Sequence, residues 1–595
     1  MYPSSRLIHQ RWQKAFVLFV AWILLCTEAF IVSSERKRPL CSSRQSPTTI
    51  GSSSRRASLG ATTRHTDDEN EVSSSFIATC VPGLSGVLAE ELQSLGCTAV
   101  EPTGGAAVRF EADGPTVLEC LLWARTPHKL MEFLAESPPI LKTRQDIHQF
   151  VQDEIPVQRL LGNGQGGLLS LSVTTILNAP RQIPADINHS HYTALTVKNA
   201  LCDTVRELRG DRPNVDLDNP DVPLVAVLRG TPSGAQLSLY RQLHSGGSLH
   251  KRGYRPSTIH KAALKESLAA GLLLQAGWEK SCRAAQSKGK SPPLLLDPMT
   301  GSGTLVLEGL LIAADLAPHL MRIKTSMGAE QAAMHQHPPV LRWKDYADLR
   351  QDVWPQLLRE ATERAKTGLA WLRDTADGTY PVYVNDMHTG ALSLLDESLT
   401  ITGFHGLVNI NAGDCADWNP PIQDKSGTRQ NWTIVCNPPW GVRLEDDVEA
   451  SWEALGKFLK QTCPAGRTTA YILSGHAKAT KRLGLRRSQS MPITVGTQDL
   501  RWLQYEIHGP SSDEEKNASV LEREPRQYNE ESVATERVFR SKPPKSSIRA
   551  EFPRRSKSTS RSNGVKKQTS TETRKQPKRK TVRVPTSDTN EWLID

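Results

Sequence analysis

Two short stretches hold residue types at spacings that can do chemistry together. The first is Asp297-Pro298-Met299-Thr300-Gly301-Ser302-Gly303-Thr304, preceded by Leu294-Leu295-Leu296 and followed by an apolar run over 305–316. It reads as a buried strand, a glycine turn and a helix. Asp297 then stands at the carboxyl end of a strand, where open α/β sheets bind ligands. Gly301 and Gly303 permit a sharp turn and close approach of backbone to ligand. Ser302 or Thr304 is placed to cap the helix. Such turns serve nucleotide, dinucleotide and S-adenosylmethionine sites alike, and the lysine of a phosphate-binding loop is missing. The plain alternative is an ordinary strand-to-helix turn. The second stretch is Asn437-Pro438-Pro439-Trp440-Gly441, after an expected strand over 431–436. Two prolines stiffen the loop and hold the preceding Asn extended. The Asn437 amide oxygen and the Pro438 carbonyl can accept hydrogen bonds from an amine. Trp440 offers a flat face to a base. A rigid amine clamp beside an aromatic plate suits methyl transfer to an exocyclic amine, although Asn-Pro-Pro is also a plain turn.

Both loops need a scaffold that brings strand ends together. From residue 294 the chain alternates expected strands and helices, the pattern of a mostly parallel sheet covered on both faces. Strands over 380–386 and 409–414 end in Asp386 and Asp414. An acid at the first end suits ribose hydroxyls, and one at the second can accept from an adenine amine. Either acid alone is as readily a helix cap or turn residue. The insertion before residue 380 carries Trp343 and Trp354 and an amphipathic helix over 349–371, which reads as core or lid.

The front of the chain reads as α+β. A strand over 76–80, a helix over 84–95 and strands near 106–110 suggest a ferredoxin-like module. A second module over 140–242 has a strand at 168–173, a helix over 192–209 and strands at 224–228 and 235–240. Its Lys198, Arg206, Arg209, Arg212 and Arg241 suit phosphate contacts or plain solvated surface equally. The formal charge of +10 favours an acidic partner, but part of it lies in the tails. Ten cysteines without CxxC or zinc spacing read as single buried thiols, with neither metal site nor disulfide framework.

The two chemistry-bearing stretches resemble motifs I and IV of class I S-adenosylmethionine-dependent amino methyltransferases. Leu249-His250-Lys251-Arg252-Gly253-Tyr254-Arg255 and Ala263-Leu264-Lys265-Glu266-Ser267-Leu268-Ala269-Ala270 are similar to segments of the THUMP-containing guanine-N2 methyltransferases, in particular bacterial enzymes of 23S ribosomal RNA. The resemblance covers about residues 76–509. It implies an α/β fold: a Rossmann-like class I methyltransferase domain over 246–509, behind a ferredoxin-like module (76–139) and a THUMP domain (140–245). It implies S-adenosyl-L-methionine as cofactor, held by Asp297, Pro298, Thr300, Gly301, Gly303 and Thr304, with Asp386 on the ribose and Asp414 on the adenine. Asn437, Pro438, Pro439 and Trp440 become the catalytic clamp, and Lys251, Arg252, Arg255 and Arg443 candidate RNA ligands. Residues 250–255 suit the cofactor carboxylate as well as RNA backbone. The partner implied is large-subunit ribosomal RNA or an assembling particle. Two departures stand out: His388 where the family commonly has a second acid, and Trp440 where it more often has Tyr. Bacterial relatives often carry a second methyltransferase domain, which is expected to be absent here.

The ends are read apart from the fold. Residues 1–30 have basic residues, an apolar run over 15–26 too short to span a bilayer, and a Thr27-Glu28-Ala29 cleavage site before Phe30. The segment from residue 31 to about His65 is rich in Ser, Thr and Arg, and Asp67–Ser75 is a polar linker. The pair resembles the two-part presequence of complex plastids, with secretion, a signal anchor, an ER route or a mitochondrion as alternatives. Residues 510–595 are polar, largely basic and expected to be disordered. Rival functions are a transfer-RNA guanine methyltransferase, an adenine-N6 or DNA amino methyltransferase, and a non-enzymatic ribosome-assembly factor.

Overall fold

A computed structural model describes residues 74–245, 247–255, 263–326, 329–374, 380–422, 431–440 and 448–508. The presequence-like segment, Arg443 and the basic tail lie outside the described residues. Everything described belongs to one compact unit, 71–595.

The front half runs β1 (Ser74–Thr79), α1 (Ser85–Ser94), β2 (Thr98–Thr103), β3 (Ala107–Ala112), α2 (Gly114–Trp123), β4 (Lys129–Glu136), α3 (Arg144–Glu154), α4 (Val157–Leu161), β5 (Leu171–Asn178), α5 (Ser190–Arg209), β6 (Val222–Thr231) and β7 (Gly234–Gln242). Its strands form a single seven-stranded sheet, ordered β2-β3-β1-β4-β7-β6-β5. The boundary expected near residue 140 therefore does not separate two sheets. β4 pairs antiparallel with β7, which joins the first module to the second. The stretch 212–216 lies beside β5 through a Leu171–Val215 bridge.

The second half runs α6 (Glu266–Gln275), α7 (Trp278–Ser287), β8 (Leu294–Asp297), α8 (Thr304–Ala313), α9 (Pro318–Lys324), α10 (Ala329–Gln336), α11 (Val353–Arg373), β9 (Val382–Asp386), α12 (Thr389–Thr402), β10 (Val408–Ala412), β11 (Trp432–Cys436), α13 (Val448–Gln461), β12 (Thr468–Ser474), α14 (Ala477–Thr480), β13 (Gln489–Val495) and β14 (Gln498–Ile507). The sheet order is β10-β9-β8-β11-β12-β14-β13. β8 through β12 pair in parallel, while β13 and β14 are antiparallel. Successive residues of β8 feed opposite sides: Leu295 joins one apolar cluster, Leu294 and Leu296 the other. This is the period-two pattern of a strand buried on both faces. Every residue of α8 is buried, as its largely apolar sequence requires, Glu308 being the one charged group among them. Trp343 and Trp354 are buried in the core, the first of the two places, core or lid, that the sequence offers.

Chain order reverses at β8: β9 and β10 lie to one side, β11 and β12 to the other. The carboxyl ends of β8 and β11 therefore flank a switch point, the place where such sheets bind ligands. Those ends carry the two loops singled out above.

Candidate active site

β8 ends at Asp297, and the chain turns through Gly301 and Gly303, with φ +54° and +74°. The left-handed φ at Gly303 favours glycine, and a Cβ there would also lie 2.3 Å from a Leu395 methyl. The cap expected from Ser302 or Thr304 is not made. Gly303 itself is the N-cap of α8 and no side chain caps it. The first amides of α8 are thereby left to a ligand rather than to a hydroxyl.

The neighbouring strand ends lace this turn into place. Asp386 takes the Gly301 amide at 2.7 Å on one oxygen and the His388 amide at 2.9 Å on the other. Asn385, which the sequence reading passed over, donates to the Pro298 carbonyl at 3.1 Å and the Gly413 carbonyl at 3.0 Å. It accepts in turn from Asn411 at 2.7 Å. One side chain thus fixes the ends of β8, β9 and β10. Its only sequence signal was a polar residue inside an apolar strand, one place before the acid. Asp414 is exposed and accepts from the Ala416 amide at 2.8 Å, capping a short turn at the cavity wall. Asp297 is buried, which pushes its carboxyl well above the usual range; the Met299 amide opposes this and nearby Asp386 adds to it. Burial likewise raises the Cys436 thiol, so it is inert packing rather than a nucleophile.

Across the switch point, β11 delivers Asn437. Its amide oxygen is buried and has no hydrogen-bond partner among the described residues. The loop behind it is pinned twice. The Trp440 indole donates to the Leu473 carbonyl at 3.2 Å, and the Trp452 indole donates to the Pro439 carbonyl at 3.0 Å. A Cβ at Gly475 would come within 3.2 Å of the Trp440 ring, so glycine there makes room for the indole.

The two loops and the neighbouring strand ends open on one cavity of about 460 Å³, within the range of small-molecule sites. Asp297, Pro298, Thr300, Gly301, Thr304, Asp386, Asp414, Asn437, Pro438, Pro439 and Trp440 all line it. Gly303 stands behind it, against Leu395. Ala263, Leu264 and Lys265, just ahead of α6, close one side. An uncapped helix N-terminus, acids at three adjacent strand ends and an apolar wall together fit S-adenosylmethionine.

The basic residues divide. Arg252 does not face outward: it is 1% exposed, donates to the Leu249 carbonyl at 2.6 Å and to the Arg125 carbonyl, and lies 3.5 Å from buried Glu308. Tyr254 donates to the same carboxylate at 2.9 Å. Reading Arg252 as an RNA ligand is corrected: it is a buried tie between the front module and α8. Arg241 is corrected likewise. It pairs with Glu132 at 2.6 Å and lies 3.8 Å over the Trp343 ring. Arg255 is partly buried and holds Glu266 at 2.7 Å, with the cavity-lining Thr304 at 3.4 Å. Lys251 is exposed and Lys198 half-buried. Arg206, Arg209 and Arg212 are exposed, each beside an aspartate; such pairs are weak and open readily to a phosphate.

Comparison with known proteins agrees with this geometry. A family model described as the RMKL-like methyltransferase domain matches residues 252–504. An RlmL ferredoxin-like domain matches 75–131, and a THUMP domain matches 185–232. A Synechocystis sp. protein named "Putative RNA methyltransferase slr0064" is 30% identical over 436 residues, covering 73% of this chain and 97% of the relative. The ribosomal RNA large subunit methyltransferase K/L of Allochromatium vinosum is 32% identical over 434 residues, 73% of this chain and 51% of that protein. The chain thus spans about half the length of the K/L relatives. The solved structure of SMU.472 complexed with SAH shares the fold, with a TM-score of 0.55, 18% identity, and coverage of 74% of this chain and 99% of that one.

Proposed function

The chain belongs to the RMKL-like methyltransferase family, with the ferredoxin-like and THUMP modules ahead of the catalytic domain, and from that premise we propose that it methylates the exocyclic N2 amine of a guanine in large-subunit ribosomal RNA. The activity is S-adenosylmethionine-dependent RNA methylation. The single observation that carries the choice of an amine is the Asn437 amide oxygen, buried and unpartnered at the cavity shared with the glycine turn.

A buried carbonyl without a donor costs roughly 1–3 kcal/mol. An amine entering the cavity supplies the missing donor and recovers that cost on binding. With its two hydrogens on the Asn437 oxygen and the Pro438 carbonyl, the nitrogen turns its lone pair away from the loop. The stiff Pro438-Pro439 backbone, held by Trp452, keeps that direction fixed. Trp440 supplies a plane for the base extruded from its helix or loop. The uncapped α8 terminus, Asp386 and Asp414 would hold the cofactor, which when bound supplies an activated methyl group on a sulfonium. The protein's contribution is alignment of two reactants.

The test is to incubate the protein with large-subunit ribosomal RNA and labelled S-adenosylmethionine, then digest to nucleosides. N2-methylguanosine is the expected product. Label in N6-methyladenosine, or in transfer RNA alone, contradicts the proposal. We also assign the enzyme to a plastid on the composition of residues 1–75, to be checked with a fluorescent fusion of that segment.

A further inference from the structure

A second amide oxygen shares the condition of Asn437. The Gln498 Oε1 atom is buried, has no hydrogen-bond partner among the described residues, and lines the same cavity. Gln498 is the first residue of β14, opposite Val495 across the β13–β14 turn. Leu500, two places on, projects to the same side of the strand. A Cβ at Gly475 would meet Leu500 at 2.9 Å and the Trp440 ring at 3.2 Å, so the side chains of Leu500 and Trp440 converge on one point. Gln498 therefore reaches the cavity on the Trp440 side, where the base is to stack, and belongs to a different strand from the amine clamp.

We propose that Gln498 is a specificity-determining residue that reads the ring N1–H of the target base; this rests on the guanine reading above. Guanine presents adjacent donors on one edge, the N2 amine and N1–H. The N2 hydrogens go to Asn437 and Pro438. N1–H is the remaining donor on that edge, and the Gln498 oxygen is the remaining unpartnered acceptor. A purine with an acceptor at N1 sets oxygen against nitrogen and leaves both buried without a proton. The cavity then selects guanine by a donor that takes no part in the transfer, the kind of contact that discriminates more strongly than shape.

The test uses the smallest RNA fragment spanning the mapped guanine, made with either guanosine or 2-aminopurine riboside at that position. 2-Aminopurine keeps the C2 amine and lacks the N1 hydrogen. The wild type is expected to favour guanine in kcat/KM by about 10- to 100-fold. The same preference should appear in equilibrium binding of the two fragments with S-adenosylhomocysteine present. Gln498→Met and Gln498→Leu, with cofactor affinity unchanged, should bring both ratios to within about threefold, chiefly by loss on guanine. Gln498→Glu keeps the acceptor and should keep the preference. Should the apolar variants fold poorly, the Glu variant decides: loss of its preference overturns the proposal. So do wild-type ratios in Gln498→Met and Gln498→Leu. A wild type that methylates neither amine overturns the guanine reading itself, a result distinct from an active enzyme indifferent to Gln498.

Discussion

Replacing Arg252 should cost stability and leave RNA affinity intact. Arg252→Met keeps the aliphatic stem and removes the guanidinium. The charge it deserts, Glu308, is 0% exposed. Removing one partner of a buried ion pair costs about 3–5 kcal/mol, because the other charge stays behind uncompensated. The lower figure applies here, since Tyr254 still donates to Glu308 and the pair is long at 3.5 Å. The carbonyls of Leu249 and Arg125 lose a donor as well. Urea unfolding should therefore show a loss of roughly 3 kcal/mol. Adding Glu308→Gln should recover much of it, because no charge is then left buried. Binding to large-subunit RNA across a salt series is the matching assay. Each phosphate contact contributes about 0.7–0.9 to the slope of log affinity against log salt. The slope should be unchanged in Arg252→Met. Wild-type stability together with a slope lower by about one phosphate contact would refute the structural assignment and restore Arg252 as an RNA ligand.

Further expectations follow from other parts of the site. Asp386→Ala removes the acceptor of the Gly301 amide and should weaken cofactor binding by calorimetry; unchanged affinity would take Asp386 out of the site. Asp297→Asn should stabilise the protein at neutral pH. The raised carboxyl binds its proton more tightly folded than unfolded, so wild-type stability is full below about 3.8 and falls as pH rises through the higher folded value. The variant's advantage in thermal midpoint should vanish in acid; an equal advantage at every pH counts against it. Gly475→Ala puts a methyl against Trp440 and should lower transfer with cofactor affinity kept; loss of both instead would point to a general collapse.

The catalytic half was the more legible in sequence. Apolar strands ending in Asp297, Asp386 and Asn437 announce themselves locally, because a parallel strand covered on both faces needs an unbroken hydrophobic run. The α8 cap was misread because a glycine can itself be the cap when a ligand needs the free amides. β4 was missed since Lys-Leu-Met-Glu-Phe-Leu-Ala-Glu favours helix in isolation, and pairing with β1 and β7 overrides that preference. Arg252 was misjudged for a different reason. A run of basic residues around a glycine looks solvated, and its partners, Arg125 and Glu308, lie far away in sequence. Gln498 gave no signal, because an amide at the start of an edge hairpin is ordinary until its oxygen is seen buried and unpaired.

The Asn437 oxygen is where the account is most exposed. Single-turnover methyl transfer to large-subunit RNA, measured beside cofactor affinity for wild type and Asn437→Ala, tests it directly. Transfer should fall by about 10²–10³-fold, the loss typical of one preorganised hydrogen-bonding group, while cofactor affinity stays the same. Transfer at the wild-type rate in the alanine variant would contradict the clamp.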